Sequence, residues 1–358
     1  MKRVKLPFAK PTPRKFFDAR LHDMLTYMRP HDTAMELDWS DKFIGPYKPT
    51  VVGNHLDDIA AYVIAVPCAD GSASKVLFSA HVDTVHRQQG RQKVMFRETD
   101  NRYYKLDGQP LGADDGAGVW LLLQLIDAKV PGSYIFHRGE ECGGIGSKWV
   151  TTMHPQWAEQ FDYAIAFDRK ATHSVMSHQG YGRCCSDKFA EALSDALNAG
   201  NDNFMYSPDD TGVYTDTAEY TDAIGECTNV SVGYYSEHTG REELDLAHLF
   251  ALRDVCVKLD WANLPVVRGK GEKEASRYGS LFRTQKRGPD LFDMTYDQLY
   301  DMAHDQTAEF LELLFDNVDE FGISLSMLDH DDVPYKTIED ELLELRARQE
   351  SGMMFLPN

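Results

Sequence analysis

The sequence predicts an α/β fold, a three-layer sandwich on a mostly parallel mixed sheet, with a helical extension at its C-terminal end. Three observations carry this expectation. Apolar runs of strand length alternate with segments of helical period between residues 15 and 262, the pattern of a sheet covered by helices. The residues with most chemical potential follow directly on those runs, where open α/β sheets place their sites. The texture then changes after Pro265, where a basic stretch gives way to a long acidic one.

Taken in order, residues 15–28 space apolar groups at helical period until Pro30 stops them. Residues 60–67 and 75–80 read as strands. Residues 115–128 form a helix whose run Val119-Trp120-Leu121-Leu122-Leu123 predicts deep burial. Residues 133–137 are a short strand, and 146–153 a helix that must end before Pro155. Strand 163–167, helix 188–199, strand 229–233 and a closing helix over 246–259 complete the series. No internal repeat is visible. The boundaries predicted are a catalytic domain over 1–265, a basic linker or arm over 266–289 and an acidic helical extension over 290–358. Residues 268–287 hold seven basic and two acidic side chains, whereas 290–346 hold 17 acidic and two basic ones, a net of −15.

Composition narrows the function. The chain has 358 residues, is 42% hydrophobic and carries a net charge of −20, which argues against a nucleic-acid backbone as partner. No apolar run reaches the roughly 18 residues of a membrane helix, and no apolar segment follows the basic N-terminus as a secretion signal would require. A cytoplasmic location is expected. The six cysteines are sparse and form no CxxC pair, so free buried thiols are expected rather than a disulfide framework or a thiolate metal site.

Five motifs carry the chemistry. They are Ser79-Ala80-His81-Val82-Asp83-Thr84, Gly112-Ala113-Asp114-Asp115-Gly116-Ala117-Gly118, Gly139-Glu140-Glu141-Cys142-Gly143-Gly144, Ala166-Phe167-Asp168 and Glu237-His238-Thr239. Each alone has an ordinary explanation: a turn histidine, a helix cap, a solvated acidic pair, a surface aspartate. Together they supply two imidazoles and several carboxylates. That donor set suits Zn²⁺, and a two-metal centre needs a shared carboxylate plus about two further protein ligands per ion. Asp83, two residues beyond His81, is placed to hold the imidazole in one tautomer. Of Glu140 and Glu141, one can face a metal and the other the water beside it.

In this order and context the motifs resemble those of the co-catalytic zinc exopeptidase superfamily, which includes peptidase-T-like enzymes and the bacterial zinc aminopeptidases. The resemblance covers residues 15–262. It implies that His81, Asp114, Glu141, Asp168 and His238 bind two Zn²⁺ ions per chain, with Co²⁺ or Mn²⁺ as substitutes. Asp114 would bridge the metals and precede a cis peptide. Glu140 would be the general base and Asp83 a support for His81. An aspartate at position 168 leans toward aminopeptidase-type members. Members resembling peptidase T or carboxypeptidase G insert a lid of about a hundred residues between the fourth and fifth ligands. Here only 69 residues separate Asp168 from His238, so no full lid is expected. The segment Val213-Tyr214-Thr215-Asp216-Thr217 resembles one that precedes the distal histidine in lidless members, making Tyr214 a candidate oxyanion donor and Asp216 a support or substrate contact.

The resulting expectation is a zinc-dependent aminopeptidase acting on a peptide or small amide substrate, and a candidate homo-oligomer. A carboxypeptidase or an N-acyl amino acid deacylase on the same fold is the alternative. A non-catalytic metal-containing binding module is the alternative from another class.

Overall fold

The computed structural model describes residues 16–272 apart from 56–57 and 180–181. The acidic extension and all of the basic stretch beyond Glu272 lie outside the described residues.

An eight-stranded mixed sheet organises the chain. Its strands are β1 (Thr50–His55), β2 (Asp58–Val66), β3 (Val76–His81), β4 (Gly132–His137), β5 (Tyr163–Arg169), β6 (Ser174–Met176), β7 (Ser207–Asp209) and β8 (Glu226–Ser231). Their order across the sheet is β7-β6-β8-β5-β3-β4-β2-β1. The four central strands β8, β5, β3 and β4 run parallel, while β1, β2 and β6 meet their central-side neighbours antiparallel. All four central strands therefore end at one edge of the sheet, and the candidate site residues gather there.

Alternation along the strands feeds two separate apolar cores, one on each face. Phe78, Phe136 and Ile165 point into the larger core, and their neighbours Leu77, Ile135 and Ala164 into the smaller. Helix α3 (Ala113–Asp127) lies on the larger face over β3 and β5, with α1 (Ala19–Met24) and α6 (Leu246–Cys256) packed against it. Helix α5 (Asp187–Gly200) covers β6 and β7, while α4 (Ile145–Met153) covers β2 on the opposite face. Three layers result. The run Val119 to Leu123 is fully buried, as its apolar character requires.

Differences from the sequence reading have local causes. The first helix spans only Ala19–Met24. The Asp18 carboxylate caps its start, and residues 27–28 leave it to pair with Gly90–Arg91. Helix α2 (Ala34–Phe43) was not foreseen. Thr33 caps it, accepting from Glu36 N at 3.3 Å, and Trp39 is buried beneath it. A second sheet of four short strands, Met95–Arg97, Arg102–Tyr104, Tyr234–Tyr235 and Glu243–Asp245, also escaped notice. Tyr234–Tyr235 and Glu243–Asp245 pair antiparallel, so residues 236–242 form a hairpin loop over the sheet edge. No helix among the described residues is long and apolar enough to cross a membrane. All six cysteines are free, and four of them are buried.

Candidate active site

The five motifs converge at the carboxyl edge of the central strands. His81 is the last residue of β3, Glu140 and Glu141 lie in the loop after β4, and Asp168 is near the end of β5. Asp114 sits in the extended entry to α3, where the Asp114–Asp115 peptide is cis. His238 projects from the hairpin loop with φ +62°, and it is the exposed member of the group.

Two donor sets overlap. His81 Nε2 lies 3.2 Å from Asp114 Oδ1 and 3.6 Å from Asp168 Oδ1. His238 Nε2 lies 3.0 Å from both Asp114 Oδ2 and Glu141 Oε2. Asp114 thus offers one oxygen to each set. Glu140 Oε2 stands 3.9 Å from His81 Nε2, closing the space between the sets. The buried Oε1 of Glu141 has no hydrogen-bond partner.

Buried polar groups hold these side chains. Asp168 accepts from Thr215 Oγ1 at 2.7 Å and from Tyr234 Oη at 3.0 Å, and Asn229 bonds both its backbone N–H and its carbonyl at 2.8 Å. The Asp83 carboxylate accepts from the backbone N–H groups of Gly139, Glu140 and Glu141 at 2.9–3.2 Å. It therefore shapes the double-glutamate loop. The Nδ1 of His81 is closer to the Asp83 carbonyl, at 3.2 Å, than to its carboxylate, at 3.6 Å. The strand ends at His81, and that turn brings the carbonyl rather than the side chain to the ring. Arg138, just before the loop, makes a buried bidentate pair with Glu36 at 3.0 and 2.7 Å.

Under Asp114, Asp115 accepts from His81 N and from Gly118 N. Helix α3 passes so close to β5 that a Cβ on Gly118 would lie 2.2 Å from the Phe167 carbonyl. Glu242 accepts four backbone N–H groups, those of Leu111, Gly112, Ala113 and Asp114. The buried Arg29 donates to Val82 O and Gly112 O, and its guanidinium lies 4.4 Å over the Trp39 ring. Burial lowers Arg29 to about 10, against the pull of Asp115, Asp83, Glu242 and Asp114, so it stays charged at neutral pH.

The electrostatics are those of too much negative charge in a dry volume. Burial, joined by the charge of Asp114, raises Glu141 to about 7 and Asp168 to about 6. Burial also raises Glu140 and Asp115 well above the usual carboxylate range. Asp114 is the exception: the imidazoles of His238 and His81 outweigh its burial and pull it down. His238 is held up to about 11 because Asp114 and Glu141 outweigh its own burial. Without another cation, protons must balance this charge. Divalent cations suit the same donors: imidazole nitrogens, converging carboxylate oxygens, and a Glu141 oxygen left unpartnered. His81, Asp114 and Asp168 would hold one ion, and Asp114, Glu141 and His238 the other.

Tyr214 does not join either set. Its hydroxyl donates to Glu219 Oε1 at 3.0 Å, and the ring lies against Gly144. The hydroxyl in the flagged segment 213–217 that reaches the cluster is that of Thr215, on Asp168. Asp216 is buried against His137, with Oδ2 3.1 Å from Nδ1. His137 also meets Tyr220 at 2.7 Å and is a core histidine. His86 is buried, on Thr84 and Pro110. Cys142 is exposed and Cys184 and Cys185 are buried elsewhere, so no thiol enters the site. Between Asp168 and His238 the described residues build β6, β7, β8, α5 and short connecting elements of the same body. Sequence reasoning missed Thr215, Tyr234, Glu242 and Arg29. The one available signal was an acidic residue closely following the distal histidine.

No protein-family model matches the sequence, and no curated protein matches it. Solved structures do. Aminopeptidase PepT from Bacillus cereus is 12% identical with a TM-score of 0.53, over 66% of this chain and 95% of that one. A tripeptidase from Staphylococcus aureus is 13% identical with a TM-score of 0.51, over 67% and 95%. The chain has the fold of these two peptidases, and at such identity the likeness is one of fold.

Proposed function

We propose that this chain is a two-metal amide hydrolase of the aminopeptidase type, releasing the N-terminal residue of a peptide. The observation that carries it is the pair of donor sets sharing Asp114, with Glu140 set between them. His81, Asp114 and Asp168 would hold one Zn²⁺, and Asp114, Glu141 and His238 the second. Co²⁺ and Mn²⁺ would suit the same donors. When bound, the ions supply Lewis acidity at the scissile carbonyl and make water reactive near neutral pH. Glu140 takes a proton from the attacking water on its carboxylate and returns it to the leaving amine nitrogen. Asp83 fixes Glu140 through the backbone of its loop. Thr215 and Tyr234 fix both oxygens of Asp168, and Asn229 its backbone. Tyr214 could serve the oxyanion only by turning from Glu219.

Two features favour an aminopeptidase over a carboxypeptidase or deacylase. Asp168 is an aspartate rather than a glutamate, and the stretch from Asp168 to His238 builds the main body instead of a lid. The test is elemental analysis of the zinc-replete full chain, with parallel assays on aminoacyl-anilides, N-acyl amino acids and peptides with a blocked N-terminus. Two ions per chain and preference for aminoacyl-anilides are expected. Preference for N-acyl amino acids or blocked peptides would move the substrate class. Two ions without hydrolysis would mark a binding module.

A further inference from the structure

We propose that Glu242 is a positioning residue that couples the second metal set to the Asp114 turn; this rests on the two-metal reading above. Helix α3 begins without a cap of its own. Its N-cap is Gly112, which has φ +75° and no side chain, and Asp114 and Asp115 are non-helical. The N–H groups of residues 111–114 therefore have no acceptor in the helical ladder, and they are buried. Glu242 meets them from a loop some 130 residues away in sequence. Its Oε1 accepts from Ala113 N at 2.7 Å and Asp114 N at 3.1 Å, and its Oε2 from Leu111 N at 2.8 Å and Gly112 N at 3.0 Å.

The same hairpin loop carries His238. One loop thus grips Asp114 from two ends: His238 Nε2 at its carboxylate, 3.0 Å away, and Glu242 at its backbone. The hairpin is seated closely, because a Cβ on Gly240 would lie 2.3 Å from the Gly108 carbonyl. Asp168 and His81 are secured by other contacts, from Thr215, Tyr234 and the Asp83 carbonyl. Asp114 serves both sets, but only the second also draws His238 from the Glu242 loop, so loss of Glu242 should weaken the set Asp114, Glu141 and His238 far more than the set His81, Asp114 and Asp168. A group whose only role was general stability would weaken both alike.

The experiment is zinc titration of the full chain against a chromophoric chelator. Three proteins are compared: the parent, Glu242→Gln and Glu242→Asp. His238→Ala identifies which binding step belongs to the second set. Glutamine keeps the shape but presents an NH₂ to two of the four N–H donors. Glu242→Gln should weaken the second step about 10- to 100-fold, the range for residues that support metal ligands, and leave the first within a few-fold. Glu242→Asp keeps the charge and should fall between. If Glu242→Gln does not fold, Glu242→Asp decides by the same titration. Equal weakening of both steps, or parent-like binding at both, overturns the inference. A parent that binds fewer than two ions overturns the two-metal reading, and this inference with it.

Discussion

Glu140 shows how one side chain can be suited to two stages of a reaction. Its carboxyl is drawn well above the usual range first by burial, then by the charges of Asp168, Glu141 and Asp216, with His81 opposing. In the metal-free protein such a group holds a proton readily, as the base and acid of the proposed mechanism would have to. Glu140→Gln keeps the shape and removes the proton acceptor. We expect its kcat to fall by about 10²–10⁴-fold, with metal content and melting temperature as in the parent. Kinetics and elemental analysis on the same preparation check this. A metal-loaded variant of parental activity would remove Glu140 from the mechanism. His81, Asp114, Glu140, Glu141, Asp168 and His238 were all legible in the sequence, because their order and their places after strands are informative even where each alone is not. Glu242 was not legible. It works through backbone N–H groups about 130 positions away, and Glu242-Glu243 looks like any solvated acidic pair. Thr215 and Tyr234 were hidden for a similar reason, since a hydroxyl reaching a distant carboxylate leaves no local pattern.

Among the elements, the central strands and α3 were readable because complete burial demands continuous apolar runs. The second sheet was not, because strands of two or three residues are too short to show a period. Helix α2 had a readable signal in Thr33-x-x-Glu36, a capping pattern followed by Trp39 and Phe43 at helical spacing. The loops at the carboxyl edge act together electrostatically, and their pH response follows. In the metal-free protein, Asp168 near 6 and Glu141 near 7 hold protons that the unfolded chain releases near pH 4. The folded state therefore binds more protons across that window, and stability falls as pH rises through it. His238, near 11, has the same sign: its stabilisation is full below the ordinary imidazole value and is lost as pH rises toward 11. Burial lowers His86 and His248 to about 4, which acts in the opposite sense near pH 5, but the raised groups are more numerous, so melting curves in EDTA should shift down from about pH 5 to about pH 8. Zinc replaces the protons, so zinc-loaded protein should show a flat or opposite trend and a higher melting temperature at about pH 8. A chelated protein that melts higher at about pH 8 than at about pH 5 would contradict this account of the charge balance.

The molecule as a whole divides its charge unevenly along the chain. Residues 290–346 carry a net of −15 out of −20, although every candidate site residue lies before residue 243. The body continues past the break seen in composition at Pro265. Glu226 is buried and accepts from Val267 N and Arg268 N at 2.8 Å, and the Arg268 guanidinium donates to Gly225 O. A truncation at residue 265 would remove two of the four hydrogen bonds on the buried Glu226 carboxylate, leaving those from Ser186, at a cost of about 1–3 kcal/mol. A chain ending at Glu272 keeps those contacts. Since every residue assigned to chemistry precedes that point, such a chain should bind both metals and hydrolyse aminoacyl-anilides with kcat/KM within a few-fold of the full chain. We expect the long acidic segment to serve assembly or access. An exopeptidase without a lid still has to restrict its site to chain ends, and a second subunit or an added segment can do so. The shortened chain should therefore either change its mass in light scattering or cleave longer peptides than the full chain does. A shortened chain that matches the full chain in both mass and peptide length limit would show that the acidic segment has neither role, and one that loses its metals would show that the site depends on the removed residues.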